Sequence, residues 1–432
     1  MLERLLVSKV SPKMQILLSD ASSLTSRQVA TILSRQGHTV HVLSTSAIPL
    51  TRFTRHVYKV HRVPPFGPDP YLWLGGALQV LRNYTFDFLL CTQEQVAIIS
   101  AEAESIRDLG VRFAVPDFNG LKKVMDKISA YDTLSAAGLQ QPESIVVKSV
   151  ADLYACSYLL PAYIKTPIGT ASSGVQFIAT DIDLRSVAKR HGDVGSFDGN
   201  GQLLVQKAVQ GPLLMISGVF SHGHLVAWHA CLRVKEGMGG GASKKSSLPL
   251  PEIGEHLAKL GGFLKWHGAI SMDGILKDNE VIYIDVNPRI VEPVNALNSG
   301  VDLVDTLLRV SATGTDSAPE ALPAGKVGIK THQLVLAILK AGIDGRMAVA
   351  KEVYLAILGQ DSYQGSVEEL TPCQGDILSF ILICSLVLIV TVGGSIIAGK
   401  LSQNAVSSYA LSQNGWHQIL KKTEQNSKEK GI

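Results

Sequence analysis

Residues 165–175 place a lysine next to a loop of small residues. Lys165 ends a predicted strand, and the loop GTASSGV at 169–175 leads into the next strand. Glycines and small hydroxyl residues let backbone N–H groups close on phosphate oxygens, and a lysine supplies a point charge to the same oxygens. A second lysine, Lys127, follows Asp126 at the predicted start of a helix. This combination predicts a site that binds a chain of phosphates.

Three oxygen-bearing side chains lie on two predicted strands that are joined by a short turn. Asp273 lies in the strand 269–276, and Asp285 and Asn287 lie at the end of the strand 281–286 or just after it. Two carboxylates and an amide oxygen form the all-oxygen kind of site that suits magnesium. A magnesium ion held there would bridge the terminal phosphates of ATP and offset charge while the γ-phosphoryl group moves.

Strands and helices are predicted to alternate before these groups. Residues 15–18 and 38–44 are predicted strands on either side of a helix that Thr25 or Ser26 would cap, and residues 86–91 are a further buried strand. The alternation predicts a parallel sheet with right-handed crossovers. The first turn lacks a GxGxxG motif, so a dinucleotide site is not supported. The hydroxyl-rich start of the first helix suits either simple capping or a bound carboxylate or phosphate.

The middle of the chain is predicted to be rich in strands. A helix from residue 121 to 138 precedes them, and the Gly- and Ser-rich segment EGMGGGASKKSS predicts mobility. A linker and two amphipathic stretches are expected beyond residue 310. The predicted strands are 162–165, 175–179, 203–208, 213–220 and 225–234, the mobile segment is 236–247, the later helix is 251–267, and the linker and amphipathic stretches are 311–325, 333–341 and 347–358.

Together these groups resemble the ATP-grasp superfamily. The order and spacing of Lys127, Lys165, the loop at 169–175 and the run DVNPR at 285–289 are closest to its carbamoyl-phosphate-synthase-large-chain-like branch. The resemblance covers roughly residues 14–310. It implies an α/β protein, with an N-terminal open parallel-sheet (pre-ATP-grasp) domain followed by a two-lobed α+β ATP-grasp fold that clamps ATP between its lobes.

The resemblance also implies roles for individual residues. Arg289 and Lys165 would be catalytic, and ATP with magnesium, or manganese in its place, would be the cofactors. Asp285 stands where the family has glutamate, and Leu213 stands where many relatives have a glutamate that binds the ribose hydroxyls. The segment 237–243 resembles the loop that closes over the acceptor site. The implied ATP-binding residues are Lys127, Lys165, Gly169, Thr170, Ala171, Ser172, Ser173, Gly174, Val175, Gln206, Lys207, Ala208 and Val209, and the implied metal ligands are Asp273, Asp285 and Asn287.

The activity that the resemblance implies is an ATP- and magnesium-dependent ligation. ATP would convert a small-molecule carboxylate into an acyl phosphate, which an amine or a similar nucleophile would then attack. Two alternatives stay open. One is a degenerate nucleotide-binding protein that senses ATP at a membrane, which Leu213 and Asp285 motivate. The other is an ATP-dependent phosphotransferase that acts on a hydroxyl or an amine.

Residues 377–398, ILSFILICSLVLIVTVGGSIIA, contain no charged side chain. As a straight helix this segment would be about 33 Å long, close to the ~30 Å hydrocarbon thickness of a bilayer. We therefore expect a C-terminal hydrophobic helix that either spans a membrane or docks on it. Few basic residues precede the segment, whereas Lys400, Lys421 and Lys422 follow it, so the charge pattern would place the tail in the cytosol.

The composition excludes several classes of protein. The 432 residues include 40 basic and 37 acidic ones, a net charge of +3 that gives no electrostatic reason to expect a nucleic-acid partner. Five dispersed cysteines argue against a disulfide framework and a structural zinc site.

The start MLERLLVSKV lacks the apolar core of a secretory signal, so we expect a membrane-associated protein with a cytosolic catalytic domain. The oligomeric state is not predicted. The expected domains are the pre-ATP-grasp domain at 1–120, the ATP-grasp domain at 121–310, the linker and amphipathic helices at 311–376, the membrane helix at 377–398 and a polar tail at 399–432.

Overall fold

A parallel four-stranded sheet forms the first part of the computed structural model, which describes residues 13–170, 174–312 and 320–429. Its elements are β1 (Gln15–Leu18), α1 (Leu24–Arg35), β2 (Thr39–Ser44), β3 (Lys59–Arg62), α2 (Pro70–Asn83), β4 (Phe88–Leu90), α3 (Val96–Ala101) and α4 (Ala103–Arg107). The strand order is β3-β2-β1-β4, with every pair parallel. Ile16 and Leu18 belong to one buried cluster and Leu17 to another, because successive side chains of a strand point to opposite faces. The predicted open α/β sheet is confirmed.

Helix α1 begins earlier than the sequence predicted. Its N-cap is Ser23, whose Oγ accepts a hydrogen bond from the backbone N–H of Ser26 at 3.1 Å. The prediction of Thr25 or Ser26 as the cap is therefore wrong. Asp20, in the loop between β1 and α1, accepts hydrogen bonds from the backbone N–H groups of Ser22 and Ser23 and from the Ser26 hydroxyl. The hydroxyl-rich helix start is thus held together by bonds within the chain.

Two helices replace the single one predicted between residues 121 and 138. They are α5 (Phe118–Met125) and α6 (Lys127–Ala136). Asp126 lies between them in an extended conformation, and its carboxylate accepts hydrogen bonds from the backbone N–H groups of Ile128 and Ser129 at 3.1 and 2.9 Å. A carboxylate that satisfies these free N–H groups caps the second helix and ends the first. Lys127 is consequently the first residue of α6.

A small antiparallel sheet follows. In chain order it contains β5 (Ser144–Val147), α7 (Val150–Ala155), β6 (Ala162–Lys165), β7 (Val175–Ile178), α8 (Asp181–Asp193) and β8 (Leu203–Lys207). The strand order is β5-β8-β6-β7. Leu153 and Leu184, from the two helices, pack on one face of the sheet in a separate buried cluster. This small lobe carries the loop between β6 and β7.

A seven-stranded sheet forms the larger lobe, in the order β13-β12-β9-β10-β11-β14-β15. Its elements are β9 (Leu213–Ser221), β10 (His224–Glu236), β11 (Ala242–Ser247), α9 (Pro251–Leu264), β12 (Gly268–Lys277), β13 (Glu280–Asn287), α10 (Val294–Asn298), α11 (Leu303–Val310), β14 (Lys330–His332), α12 (Leu334–Asp344), α13 (Arg346–Leu358) and β15 (Val367–Glu368). Helix α9 packs Leu257 and Leu260 on one face, where Trp266 is also fully buried. Two lobes of mixed α and β structure therefore follow the parallel sheet, as expected.

The glycine-rich segment 236–247 is not the mobile loop that its composition suggested. Its second half is β11, which pairs with β10 on one side and β14 on the other. The side chains of Lys244 and Lys245 are 3% and 1% exposed. Backbone pairing on both sides offsets the entropy that glycine and serine lose on ordering. Part of the predicted linker, 313–319, lies outside the described residues, and the strands β14 and β15 beyond it belong to the large sheet.

Two helices complete the described chain, α14 (Ile377–Ser407) and α15 (Gln413–Glu429). By length and composition, the stretch Ile377–Leu401 of α14 is sufficient to cross a membrane, and it is the single such stretch in the part of the chain that is described. Its mean hydropathy is 2.7, and 17% of its apolar window is buried. Helix α14 packs on α12 and α13, whereas α15 packs on α2 and α3 of the N-terminal sheet.

Candidate active site

Lys165 lies at the end of β6 and is 5% exposed. Its Nζ donates a hydrogen bond to the carbonyl oxygen of Ile284 in β13, at 2.7 Å. Burial lowers the pKa of Lys165 to about 8, and the charge of Lys127 acts in the same direction while Asp285 and Asp273 oppose it. Burial removes water from the ammonium group, and an anionic partner would compensate this loss of hydration.

The loop after Lys165 lies against the start of α6. Lys127 donates a hydrogen bond from Nζ to the carbonyl oxygen of Gly169 at 2.8 Å, so one of the two predicted lysines contacts this loop directly. The binding of phosphates by the two lysines stays a prediction. Gly174 has φ +74°, and a β-carbon there would lie 2.0 Å from Oγ1 of Thr166. Only glycine fits that position. The predicted residues Ala171, Ser172 and Ser173 lie outside the described residues, and Val175 begins β7.

Two predicted metal ligands face each other across the ladder of β12 and β13. Asp273 pairs with Asp285, and Ser271 pairs with Asn287 two residues along. Directly opposed residues project to the same side of a sheet. Burial, and after it the charge of Asp285, raises the pKa of Asp273 to about 7, although Arg233 and Lys165 oppose the shift. Because the two carboxylates repel each other, a cation between them would favour their ionised forms.

Arg289 follows the second of these strands and is 8% exposed. Its Nη2 lies 3.4 Å from Oδ1 of Asn287, while its buried Nε has no hydrogen-bond partner among the described residues. A buried guanidinium N–H without a partner is costly unless an acceptor arrives. Phosphate oxygens match the donor geometry of a guanidinium group.

One cavity brings together five of the predicted positions. Its lining includes Lys127, Gly169, Asp285, Asn287 and Arg289. Residues from the small lobe, the large lobe and the α5–α6 break therefore meet at one place. Asp273 is not among the lining residues, but it pairs in register with Asp285, which is.

The predicted hinge lies at the end of β8. Gln206 is 3% exposed and bonds Ser144, whereas Lys207 is half-exposed and pairs with Glu143 at 3.5 Å. The backbone N–H of Ala208 donates to the carbonyl oxygen of Pro161, so this group is already occupied. The hinge residues Gln206, Lys207, Ala208 and Val209 are not among those that line the cavity. Their role in reading adenine stays a prediction.

Glu94 is a lining residue that the sequence did not predict. It lies just after β4, is 8% exposed, and accepts hydrogen bonds from the Thr170 hydroxyl and from the backbone N–H of Leu411. Burial raises the pKa of Tyr409, two residues before Leu411, with Asp20 and Glu94 contributing and Arg289 opposing. The residues before α15 therefore lie beside the site. Their contribution depends on a contact across 317 residues, which no local pattern reveals.

Glu292, three residues after Arg289, is not among the residues that line the cavity, and it was not singled out from the sequence. Its backbone φ is +42°, a left-handed value that is uncommon for a side chain of this size. The carboxylate accepts hydrogen bonds from Lys245 and Gln333, and Lys245 also donates to Glu369 at 2.6 Å. Burial alone would lower the pKa of Lys245, but Glu292 and Glu369 raise it above its ordinary value. In the sequence, only its position three residues after Arg289 could have drawn attention to Glu292.

The donor set at this site fits a magnesium ion. Asp273 and Asp285 supply carboxylates and Asn287 an amide oxygen, which is the hard-oxygen chemistry that magnesium prefers. Among the described residues there is no group of three or more His, Cys, Asp or Glu side chains that could hold a metal, so a nitrogen- or sulfur-rich metal site is not indicated there. Magnesium commonly binds through one or two carboxylates, with substrate phosphates and water completing its shell.

Comparisons with known proteins identify the fold. No protein-family model matches the chain, and no curated protein matches it either. Among solved structures, the chain is similar to a biotin carboxylase from Campylobacter jejuni in a β-γ-ATP complex, with 15% identity, 75% of each chain covered and a TM-score of 0.58.

Two other solved structures agree with this similarity. An ADP complex of PurK, an N5-carboxyaminoimidazole ribonucleotide synthetase, has 12% identity over 80% of this chain and 86% of its own, with a TM-score of 0.57. An L-amino acid ligase from Bacillus licheniformis has 15% identity over 72% and 79%, with a TM-score of 0.54. The ATP-grasp fold expected from the sequence is confirmed. The carbamoyl-phosphate-synthase-like branch stays a prediction.

Proposed function

We propose that this chain is an ATP- and magnesium-dependent ligase that joins a carboxylate to an amine or a similar nucleophile. The observation that carries the proposal is the cavity where Lys127, Gly169, Asp285, Asn287 and Arg289 meet. Cations and a glycine-containing loop on one side face an oxygen-donor set on the other. The solved structures that share the fold include an L-amino acid ligase and a biotin carboxylase, which supports this class of reaction.

In the proposed reaction, the residues position the groups and balance their charges. Lys127, Lys165 and the loop bind the phosphates, and Asp273, Asp285 and Asn287 would hold a magnesium ion, which would offset phosphate charge. A substrate carboxylate oxygen bonds to the γ-phosphorus while the bond to ADP breaks. The amine nitrogen then bonds to the acyl carbon, phosphate leaves and the nitrogen loses a proton. Arg289 stabilises the negative charge of the transferring group.

The test is release of ADP and phosphate that requires both a carboxylate and an amine, screened over libraries of each. Asp285→Asn and Lys165→Ala should each lower turnover by about a hundredfold or more, since each removes a charge that acts on the moving phosphoryl group. Asp278→Asn and Lys259→Ala, at an exposed turn and on the exposed face of α9, are the matched controls and should keep wild-type turnover. Undiminished turnover in Asp285→Asn and Lys165→Ala would reject the assignment.

A degenerate nucleotide-binding protein is the second candidate. Leu213, at the start of β9, is half-buried and cannot accept the ribose hydroxyl hydrogen bonds that the resemblance assigns to glutamate. This candidate predicts ATP binding without turnover for every substrate pair. ADP release with a stable phosphorylated product, and without free phosphate, would instead identify a phosphotransferase.

We also propose that α14 associates with a membrane while the catalytic body lies in the cytosol. The support is the apolar stretch Ile377–Leu401, which is mostly not buried by the rest of the chain. Flotation of the purified full-length protein with lipid vesicles tests this association independently of turnover.

A further inference from the structure

Helix α14 reverses direction at Gly394. This residue has φ +57° and ψ −148°, close to a region that is essentially restricted to glycine. A β-carbon built on Gly342 of α12 would lie 3.7 Å from the Cβ of Val390 and 3.7 Å from the Cβ of Ala398. Those two atoms are therefore at most twice that distance apart, whereas eight residues of straight helix advance about 12 Å. Helix α14 consists of two arms that fold back on each other beside α12.

Both ends of α14 are fixed to the N-terminal part of the chain. Just before the helix, the carboxylate of Asp376 accepts a hydrogen bond from the Thr54 hydroxyl, and just after it the carbonyl of Ser408 accepts one from the Thr45 hydroxyl at 3.1 Å. Thr54 lies nine positions after Thr45, which limits their Cα separation to about 32 Å. A straight helix between Asp376 and Ser408 would be about 48 Å long. The apolar segment therefore leaves and rejoins the same part of the protein.

The residues after α14 are built into the core. Tyr409, Leu411, Trp416 and Ile419 are each no more than 8% exposed, and the last three join the cluster beneath α2 and α3. The Trp416 ring lies 5.9 Å from that of Phe118. If α14 crossed a bilayer, these residues would lie on the far side and lose this packing. A crossing helix and the observed tail position exclude each other.

The outer surface of the two arms is apolar and exposed. Phe380, Leu388 and Val392 in the first arm are 52%, 66% and 71% exposed, and Ile396 just beyond the turn is 71% exposed. The first arm, residues 377–393, would be about 26 Å long, shorter than the ~30 Å hydrocarbon layer. The second arm becomes polar after its first turn, with Lys400 and the residues that follow. This length and polarity suit shallow insertion better than a span.

Helix α13 adds a second exposed apolar stripe next to the arms. Met347, Tyr354 and Ile357 are 83%, 60% and 78% exposed, and their spacing places them on one face of the helix. The charged residues of α12, α13 and α14 that are classed as exposed are Asp344 and the three cations Arg346, Lys351 and Lys400. An apolar surface that carries an excess of cations matches an anionic lipid bilayer.

We infer that α14 is a helical hairpin that inserts into one leaflet of an anionic bilayer, with both of its ends on the side of the catalytic body. This inference rests on the proposed membrane association and decides between crossing and docking. The arms and the α13 stripe form the inserted surface, while the tail stays packed on the N-terminal sheet beside the ATP cavity. The active site is thereby held at the membrane surface.

Vesicle flotation with single charges at the turn tests the inserted surface. Full-length protein is mixed with phosphatidylcholine vesicles with and without phosphatidylserine. Val392→Lys and Ile396→Lys should each weaken binding by at least about tenfold, since each places a charge where an apolar side chain would leave water. Ile182→Lys, on α8 in the small lobe, is 79% exposed and is the matched control. Equal binding of all the variants would overturn the assigned surface.

The position of the C-terminus tests the hairpin itself. A protease site and an epitope tag are placed after residue 432, and the protein is examined in sealed vesicles prepared from membranes of cells that express it. We expect the added protease to reach the tag and the catalytic body from the same side. A tag protected while the body is cut would overturn the hairpin and leave membrane association intact. Protein that neither sediments with membranes nor floats with vesicles would overturn both, and ATP turnover in the same samples reports on the ligase separately.

Discussion

Burial changes the charge behaviour of single side chains at the site. Asp273 is partly buried opposite Asp285 and has a pKa raised to about 7, and Lys165 has a pKa lowered to about 8, with desolvation the main cause of both shifts. A bound cation would favour the ionised carboxylate and a bound polyphosphate would favour the protonated lysine. In the proposed function, nucleotide and metal would therefore compensate the charges that these side chains leave unbalanced. The same reasoning applies to the unpartnered Nε of Arg289.

The buried His229 should make the stability of the fold sensitive to acid. Burial lowers its pKa to about 4 from an ordinary value of 6.5, although its hydrogen bond with Asn295 opposes the shift. Between these values the unfolded chain binds a proton that the folded chain excludes, so the free energy of unfolding falls as the pH falls from about 6.5 to 4. We expect His229→Gln to reduce proton uptake on unfolding by about one in this window. The slope of the unfolding free energy against pH measures it.

His224, the exposed first residue of β10, supplies the comparison. His224→Gln should keep the wild-type slope. If His229→Gln keeps that slope too, burial of His229 does not govern the acid sensitivity.

At the scale of elements, the break between α5 and α6 places Lys127 at the cavity that Gly169, Asp285 and Arg289 also line. An uninterrupted helix through residues 118–136 would have carried Lys127 in its middle, directed by the helix period alone. The Asp126 cap instead ends α5 and starts α6, and Lys127 reaches the carbonyl of Gly169. The cap of α6, Asp126, is thus adjacent to Lys127, the residue that contacts the loop.

Removing this cap should affect both stability and ATP binding. Asp126→Ala should cost about 1 kcal/mol of unfolding free energy. It should also raise the KM for ATP by about tenfold, because the start of α6 would no longer hold Lys127 in place. Denaturant unfolding and steady-state kinetics measure the two effects.

Asp117 caps α5 in the same way, through the backbone N–H of Asn119 at 2.8 Å. Asp117→Ala should cost a similar stability and leave the KM for ATP unchanged. A comparable rise in KM in both variants would show that general destabilisation, rather than the position of Lys127, is responsible.

At the scale of the whole molecule, the C-terminal tail connects α14 to the loop that follows Lys165. Glu94 accepts hydrogen bonds from Thr170 in the loop and from Leu411 in the tail. Trp416 and Ile419 fix the tail to the N-terminal sheet. Chain segments more than 300 residues apart therefore meet beside the cavity, and release of the tail would free Glu94 on one side.

Trp416→Ala should loosen this connection. The change should cost about 3 kcal/mol of stability, because it opens a cavity beneath α2 and α3. It should also raise the KM for ATP while the vesicle affinity of the hairpin surface is retained. Tyr158→Ala, at a position 62% exposed, should change the stability by less than about 0.5 kcal/mol and serves as the control. A Trp416→Ala protein with wild-type stability would contradict the packed tail.

The sequence alone determined the features whose causes are local. The strand and helix periods, the small-residue loop after Lys165, the run DVNPR and the uncharged length of 377–398 each depend on neighbouring residues. Together with the family resemblance that the motifs carry, they predicted the fold, and one cavity contains Lys127, Asp285 and Arg289. Composition misled where pairing decided the outcome, as in the Gly- and Ser-rich segment 236–247, whose second half, 242–247, forms a buried strand. The domain limits and the hinge roles stay predictions.

Only the tertiary structure decided the features that depend on distant contacts. Glu94 gained its place through Thr170 and Leu411, and Glu292 through Lys245. The reversal at Gly394 could not be read from hydropathy, because an apolar segment has the same composition whether it runs straight or folds back. Its direction was set by packing on α12 and by the attachment of both ends to the N-terminal part of the chain.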